Sequence, residues 1–368
     1  MRILQIAPPW YRVPPLSYGG IECVVADLVE GLIERGHDVT LLASGGSMSA
    51  GRLWSVYDTP PAHMIASPCH AFAHCVLGYR RRHEFDLIHD HTGIYGAAIA
   101  SMVDGPPVVH TLHGAWYDDI RTYYSALPPR LHLVAISADQ AARAPDAVRH
   151  VGVVHNGVQL AQYPMRSAPR GTQGYLCFVG RAHPDKGPDL AIRTAKRLRR
   201  HLKMMVKIQE PSEHRFWQRH CVPLLAEADV EVNRHASQTT KAACLAGADA
   251  TLFPIRWDEP FGLVMAESMA CGTPVVAYRR GAAGEVILDG HTGFVVEPGD
   301  DDAFANAVQR VGELSPLACR SRVKRLFSSQ TLVEEYEGIY NNVLASPVTA
   351  APSAATLVGF VTAEGTSS

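Results

Sequence analysis

Short, mostly apolar runs alternate along this chain with longer stretches whose apolar positions recur every three or four residues. The first run, residues 2–7 (RILQIA), reads as a short buried strand of the kind that opens a parallel sheet. A loop at 8–20 follows, holding four of the chain's 25 prolines and ending in Tyr18-Gly19-Gly20. Next, Ile21, Val24, Val25, Leu28, Leu32 and Ile33 fall at helical spacing, Gly36 stops the helix, and 38–43 is a second strand. Strand, glycine-containing loop, helix, strand is the outline of a mononucleotide-binding unit. Further strands are predicted at 85–89, 107–112, 131–137 and 151–155, separated by helical or small-residue stretches such as 96–103 and 138–144.

Asn156-Gly157-Val158 then marks a turn, and 159–173, with Pro164, Ser167, Pro169 and Gly171, has the composition of a linker. The alternation resumes with strands at 175–181, 204–209, 230–232, 250–253 and 294–296. Helices are predicted at 188–200, after Ser237, after Pro260 and after the acidic run 300–302. A last amphipathic helix, 331–344, carries Leu332, Tyr336, Ile339, Tyr340 and Val343 on one face. The pattern predicts two doubly wound α/β domains facing one cleft. Their expected bounds are 1–160 and 174–330, with a linker at 161–173, a closing helix at 331–345 and a disordered tail at 346–368 rich in Ala, Pro, Ser, Thr, Val and Gly.

Composition agrees with that division and removes several function classes. A chain of 368 residues exceeds one ordinary core. A formal charge of −2 gives no reason to expect nucleic acid as a partner. Basic clusters stand at Arg80-Arg81-Arg82 and 197–203; the common reading is a solvated face, the minority reading peripheral contact with an acidic lipid surface. Eight cysteines lack metal-ligand spacing or a disulfide framework and no secretory signal precedes the first strand, so a reducing cytoplasm is expected. The longest apolar runs, 94–103 and 354–363, are about half the ~20 residues of a membrane span.

The densest chemistry lies at 253–273 (FPIRWDEPFGLVMAESMACGT). A buried strand breaks at Pro254 and Pro260 and runs into a helix, with Glu259 in the loop before it and Glu267 about two turns inside. Free N–H groups around Phe261, Gly262 and Leu263 attract anions, and Gly262 permits close approach of a ligand. Two ionised carboxylates accept from hydroxyls on either side of such an anion. The plainer reading, acidic helix capping, accounts for Asp258 and Glu259 but leaves Glu267 unexplained amid Met265, Ala266, Met269 and Ala270. Gly19-Gly20 opens another helix, whose N–H groups could meet a phosphate across the cleft, although a glycine pair is more often only a turn. Arg181 and Lys186, at a strand end, suit phosphate oxygens and a leaving group of growing charge; alternatively they are surface cations beside a turn. His89-Asp90-His91 has strand spacing and no evident third metal ligand, and Asp300 to Asp302 reads better as a helix cap than as a D-x-D metal motif, so no metal site is expected.

Glu259, seven residues and Glu267, with Pro260-Phe261-Gly262-Leu263 between and 270–277 (ACGTPVVA) after, resemble the donor-site signature of the family 4 glycosyltransferases, retaining enzymes of the GT-B fold. The resemblance runs from Arg2 to about Leu344 and is strongest over 253–297. It implies that 1–160 is an acceptor domain and 174–330 the nucleotide-sugar domain, both Rossmann-like, with the closing helix crossing back to the first. It further implies that Glu267 binds the ribose of a nucleotide sugar, Glu259 contacts the sugar, and the backbone of Phe261, Gly262 and Leu263 faces the diphosphate or the sugar. Gly19 and Gly20 would lie beside the donor phosphates and Arg181 and Lys186 on the diphosphate. His113, otherwise an ordinary polar residue at a strand end, would lie near the reacting sugar, and Glu285 near the nucleotide pocket.

The implied activity is transfer of a sugar with retention by front-face displacement, with His113, Arg181, Lys186 and Glu259 as the catalytic set and no cofactor beyond the donor, a UDP-sugar ahead of a GDP-sugar. The acceptor, a small molecule, lipid or glycan, would be chosen by the loops at 10–18, 45–52 and 115–125. Two departures stand out: Gln159 replaces a common aspartate, and 207–213 (KIQEPSE) replaces a glycine-rich turn near the base, which puts the nucleotide in question and suggests a partly closed pocket. A nucleotide-sugar epimerase of the same fold and a catalytically impaired nucleotide-sugar-binding protein are the alternatives. A nicotinamide enzyme is disfavoured because the three-glycine fingerprint is absent after the first strand.

Overall fold

Ile3, Leu4 and Ile6 are fully buried because the strand they form sits at the centre of a sheet covered on both faces. The computed structural model describes residues 1–17, 19–65, 67–128, 131–148, 150–165 and 174–345. The first sheet contains β1 (Arg2–Ile6), β2 (Asp38–Ala43), β3 (Arg52–Ser55), β4 (Leu87–Asp90), β5 (Val108–Leu112), β6 (His132–Ala135) and β7 (His150–Val153), in the order β3-β2-β1-β4-β5-β6-β7. The second contains β8 (Leu176–Arg181), β9 (Leu202–Lys207), β10 (Val230–Asn233), β11 (Ala250–Phe253), β12 (Val275–Tyr278) and β13 (Gly293–Val296), in the order β10-β9-β8-β11-β12-β13. Neighbouring strands are parallel in both. Both halves are therefore the doubly wound Rossmann-like units that the pattern predicts.

In such sheets the strand order reverses at one point, and a crevice opens there beyond the strand ends. The reversals fall between β1 and β4 and between β8 and β11. The glycine pair leaves β1, His89-Asp90-His91 ends β4, Arg181 ends β8, and the Glu259 loop leaves β11. The topology thus delivers the sequence-predicted chemistry to two facing edges.

The helix Gly20–Glu34 packs Val24, Val25, Leu28 and Leu32 on one face of the first sheet. Leu332, Val333, Tyr336 and Tyr340 of the closing helix Ser329–Ala345 join the same cluster, so the chain's last described element completes the core of its first domain. Among the described residues no helix is long and apolar enough to cross a membrane. The expected tail 346–368 and most of the expected linker, 166–173, lie outside the described residues.

Three elements differ from the sequence reading. Strand β3 is an edge strand with Arg52, Leu53 and Ser55 exposed, so it lacks the buried run that reveals its neighbours. The helix Pro68–Arg80 keeps apolar side chains on its outer face and shows no polar stripe to mark its period. Residues 211–225 form continuous helical turns where no element was expected, opened by a reciprocal cap between Glu210 and Glu213 with Pro211 at the first position.

Candidate active site

The helix Leu263–Ala270 is entered through Gly262, whose φ of 80° is left-handed and favours glycine. Phe261 turns its ring inward against Phe327 and His155 and is 1% exposed, leaving its backbone at the helix start. A Cβ placed on Gly20 would lie 3.3 Å from Leu263 Cδ1, so the glycine pair of the first domain and the donor-signature helix start are in direct opposition. Two helix N-termini, each with unsatisfied N–H groups, meet across this gap.

Glu259 is held from three sides. Its Oε2 accepts from Trp257 Nε1 at 2.8 Å and from Lys186 Nζ, and its backbone carbonyl accepts from Ala282 N at 2.9 Å. Gly281, at φ 53°, allows the close contact, since a Cβ there would fall 2.2 Å from the Glu259 carbonyl oxygen. The Lys186 ammonium also lies 4.7 Å from the centre of the Trp257 ring, a cation–π position. Only 16% of the Lys186 side chain and 12% of the Glu259 side chain are exposed, so the pair is a largely desolvated charge couple beside the helix start.

Glu267 is 4% exposed, and its two oxygens differ. Oε1 accepts from Tyr163 OH at 2.8 Å and Lys241 Nζ at 2.6 Å. Oε2 is buried with no partner among the described residues. An orphaned buried acceptor costs about 1–3 kcal/mol, which a ligand hydroxyl would recover. The first domain approaches here too: burial, and then the Glu267 charge, pushes the Cys23 thiol up to about 12. Asp27 is pushed up to about 7 by burial and, more weakly, by Glu267, against a backbone hydrogen bond at Gln159.

Arg181 sits apart from Lys186 in its partners. Its Nη1 donates to Glu213 Oε1 at 3.3 Å and lies 3.6 Å from Glu210 Oε1. Glu213 Oε2 in turn accepts from the N–H groups of Gln209 (2.8 Å) and Glu210 (3.2 Å). The segment that replaces a glycine-rich turn is therefore a capped helix start that sequesters an arginine. Tyr11 of the first domain closes over it, donating to Gln209 Oε1 at 3.2 Å and accepting from Lys207 Nζ at 3.0 Å.

His113 leaves β5 half-buried, with Nε2 2.9 Å from His91 Nδ1. His91 Nε2 contacts Gln5 Oε1 (3.0 Å), Gln5 Nε2 donates to Tyr340 OH (3.0 Å), and Tyr340 OH meets His89 Nδ1 (2.7 Å). Burial, and then His110, lowers His113 to about 3, so it acts as a neutral hydrogen-bonding group rather than a cation. Asp90 is fully buried and bonded to Tyr79 OH and Thr92. Among the described residues no group of three or more potential ligands could hold a metal, and Asp300 caps its helix through Ala303 N at 2.8 Å.

Glu285 is engaged between the domains. It accepts from Ala138 N (2.9 Å) and Asp139 N (3.2 Å) at the start of the helix Ala138–Ala142, and from His155 Nε2 (2.5 Å). Arg143 to Asp258 (2.9 Å) and the Tyr117 ring stacked 6.4 Å from Trp257 add two more contacts across the cleft. The structure thus brings Gly20, Lys186, Glu259, Gly262 and Leu263 around one gap, with Glu267 behind it and Arg181 turned to its own carboxylates. Sequence reasoning missed Trp257, Lys241, Tyr163, Glu213 and Tyr11. Of these only Glu213 had a local signal, its place three residues after Glu210 behind a proline.

Two family descriptions match in tandem: Glycosyltransferase Family 4 over residues 18–162 and glycosyl transferases group 1 over 162–324. Glycogen synthase of Mycobacterium tuberculosis is 27% identical over 399 residues, covering 92% of this chain and 94% of its own. D-inositol 3-phosphate glycosyltransferase of Acidothermus cellulolyticus is 29% identical over 401 residues, covering 90% and 88%. Among solved structures, AviGT4, a glycosyltransferase of avilamycin A biosynthesis, superposes with a TM-score of 0.70 at 24% identity, covering 94% of this chain and 98% of its own. The Anabaena protein HepE in complex with UDP-glucose gives 0.72 at 19% identity, with 93% and 100% covered. With the tandem match spanning both sheets, the chain belongs to the family 4 glycosyltransferases and has the GT-B fold.

Proposed function

We propose that this enzyme transfers a sugar from a nucleotide-diphosphate sugar to a small-molecule, lipid or glycan acceptor with retention at the anomeric carbon. The observation that carries the donor assignment is the orphaned Glu267 Oε2, buried behind an anion-binding helix start and matched to a ribose hydroxyl. Lys186 and the N–H groups at Phe261, Gly262 and Leu263 receive the diphosphate, and Gly19 and Gly20 face it from the other domain. Glu259, fixed by Trp257 and Lys186, accepts from sugar hydroxyls, while neutral His113 holds the sugar from the acceptor side. Growing charge on the leaving diphosphate is stabilised by Lys186 and, once released from Glu213, by Arg181. The departing oxygen takes the acceptor's proton as the acceptor attacks the same face, so the chemistry calls for neither a protein nucleophile nor a cofactor beyond the donor. A UDP-sugar is the first choice of donor, since HepE was solved with UDP-glucose; a GDP-sugar is the second. The eight cysteines are free thiols, in keeping with a reducing cytoplasm.

A specific observation favours a second reading. Arg181 engaged by Glu213 and Glu210, under Tyr11, also suits a protein that binds the donor without turning it over. Melting temperature with UDP, GDP and ADP, for wild type and Glu267→Ala, tests the donor site: a selective rise lost in the variant is expected, because ligand at a hundred times its Kd adds about 2.7 kcal/mol. Product analysis with the stabilising nucleotide's sugars then separates the readings. An α-configured product from an α-configured donor supports retention, an inverted product refutes it, and binding without nucleotide release assigns the second reading.

A further inference from the structure

The helix Pro68–Arg80 presents a surface that the transfer chemistry does not use. Its inner face is fully occupied: His74 Nε2 bonds Ala7 O at 2.9 Å at the exit of β1, Tyr79 OH bonds Asp90 at 2.7 Å, and Gly78 lies against Leu42 and Ile6. Its outer face is apolar over three turns, with Cys69, Phe72, Val76 and Leu77 exposed on the solvent side, continued upstream by Met64 and Ile65. Phe72, 41% exposed, meets Tyr95 of the neighbouring helix Ile94–Met102 edge-on at 5.0 Å, and Met102, at the end of that helix, is 76% exposed. Burying apolar groups normally pays for folding a helix, so an outer face of this kind needs a separate explanation.

The charge around it selects the occupant. From Thr59 to His83 the chain holds no aspartate or glutamate and three arginines, Arg80, Arg81 and Arg82. Arg81 is paired with Glu84 and lies over Trp54, and Arg82 is tied to backbone carbonyls. Arg80 is exposed and has no carboxylate partner among the described residues. We propose that the outer face of Pro68–Arg80, with Met64, Ile65 and Met102, docks the enzyme on an anionic phospholipid surface. The apolar side chains enter the headgroup boundary and Arg80 lies against lipid phosphates. A second copy of the chain on the same face would bring its own arginines to a stretch without carboxylates to receive them. The helix is anchored where β1 gives way to the 8–20 loop, which sets the lipid surface on the first domain.

This surface does not rest on the donor reading, and its test is separable from it. The full chain is floated with vesicles of phosphatidylcholine alone or mixed with phosphatidylglycerol. Binding to the mixed vesicles only, reversed at 1 M salt where the screening length falls to about 3 Å, is expected. Phe72→Gln with Leu77→Gln lowers the partition coefficient about tenfold and Arg80→Gln about fivefold, while nucleotide-dependent melting stays as in wild type. Exposed Cys69 reports insertion directly, because six of the other cysteines are buried and Cys23 half-buried: mixed vesicles slow its reaction with a charged maleimide. Absence of binding to mixed vesicles, or variants and Cys69 that respond no differently, overturns the proposal. Self-association lost in the Phe72/Leu77 variant, without vesicle binding, assigns the face to a second copy instead.

Discussion

Replacing Glu267 with glutamine keeps the shape of the side chain but removes its charge, and two separate consequences follow. The ribose loses a charged acceptor at Oε2, a hydrogen bond worth about 1.5–3 kcal/mol, so nucleoside diphosphate affinity falls about 10- to 150-fold. Lys241, 15% exposed at 2.6 Å from Oε1, loses its counter-charge. Breaking a buried pair costs about 3–5 kcal/mol; partial access to water reduces that to about 1–2 kcal/mol here. A second substitution distinguishes the two. Lys241→Met in the Glu267→Gln background removes the stranded ammonium and should restore most of the melting temperature, but not the affinity. Calorimetric titration with the stabilising nucleotide and its 2′-deoxy and 3′-deoxy forms provides the readout, because a deoxy analogue lacking the contacted hydroxyl should lose little further affinity in the variant. If the double variant regains both stability and affinity, or if every deoxy analogue suffers the full loss, Glu267 acts only through packing and the ribose assignment fails.

Three further outcomes follow from the electrostatics and from the interdomain contacts. Glu22, buried in the first turn of its helix, is pushed up to about 7 by desolvation. A carboxyl with a raised folded-state pKa favours the native state at low pH, so its contribution is lost as pH rises from about 4.5 to about 7. Glu22→Gln should therefore flatten the fall of melting temperature across that window, and an unchanged slope would contradict it. His113, lowered to about 3, should leave kcat/KM flat from pH 5 to 8 on its account; an acid limb near 6.5 that vanishes in His113→Gln would show that it titrates in the free enzyme. Glu285→Ala removes acceptors from a helix N-terminus and from His155 and should cost about 2 kcal/mol, with calorimetry resolving two unfolding steps as the domains uncouple. A single transition at the wild-type temperature would leave the bridge without energetic weight.

The fold was legible because parallel strands buried on both faces leave short, mostly apolar runs, and 2–7 and 250–253 are such runs. It failed where that signature fails, at the exposed edge β3 and at a helix whose outer face is as apolar as its inner one. The site was legible only as far as its chemistry is local. Glu259, Gly262 and Glu267 lie within nine consecutive residues, whereas Lys186 reaches Glu259 from 73 residues away and Tyr163 reaches Glu267 from 104. No spacing rule links such positions; the sheet order does. Arg181 stands at the end of β8 as its sequence position implies, but its engagement with Glu213 depends on a cap at 210–213 that shows in the sequence only as the lack of a glycine turn.

The chain crosses between its halves twice, and the crossings are laced together: Val158 N bonds Phe327 O at 2.9 Å and Ser329 N bonds Val158 O at 3.1 Å. The described residues after the second crossing, Ser329–Ala345, belong to the first half, where Tyr336 and Tyr340 cover Leu28 and Leu32 and bond Thr111, Gln5 and His89. On the ribosome the leading half therefore waits for the trailing end. At about 5–20 residues per second, the span from Val158 to Val343 takes roughly 10–40 s to make, and for that time the apolar seam along Gly20–Glu34 stays bare. A released fragment that ends before residue 329 should therefore carry a finished second half and an unsealed first one.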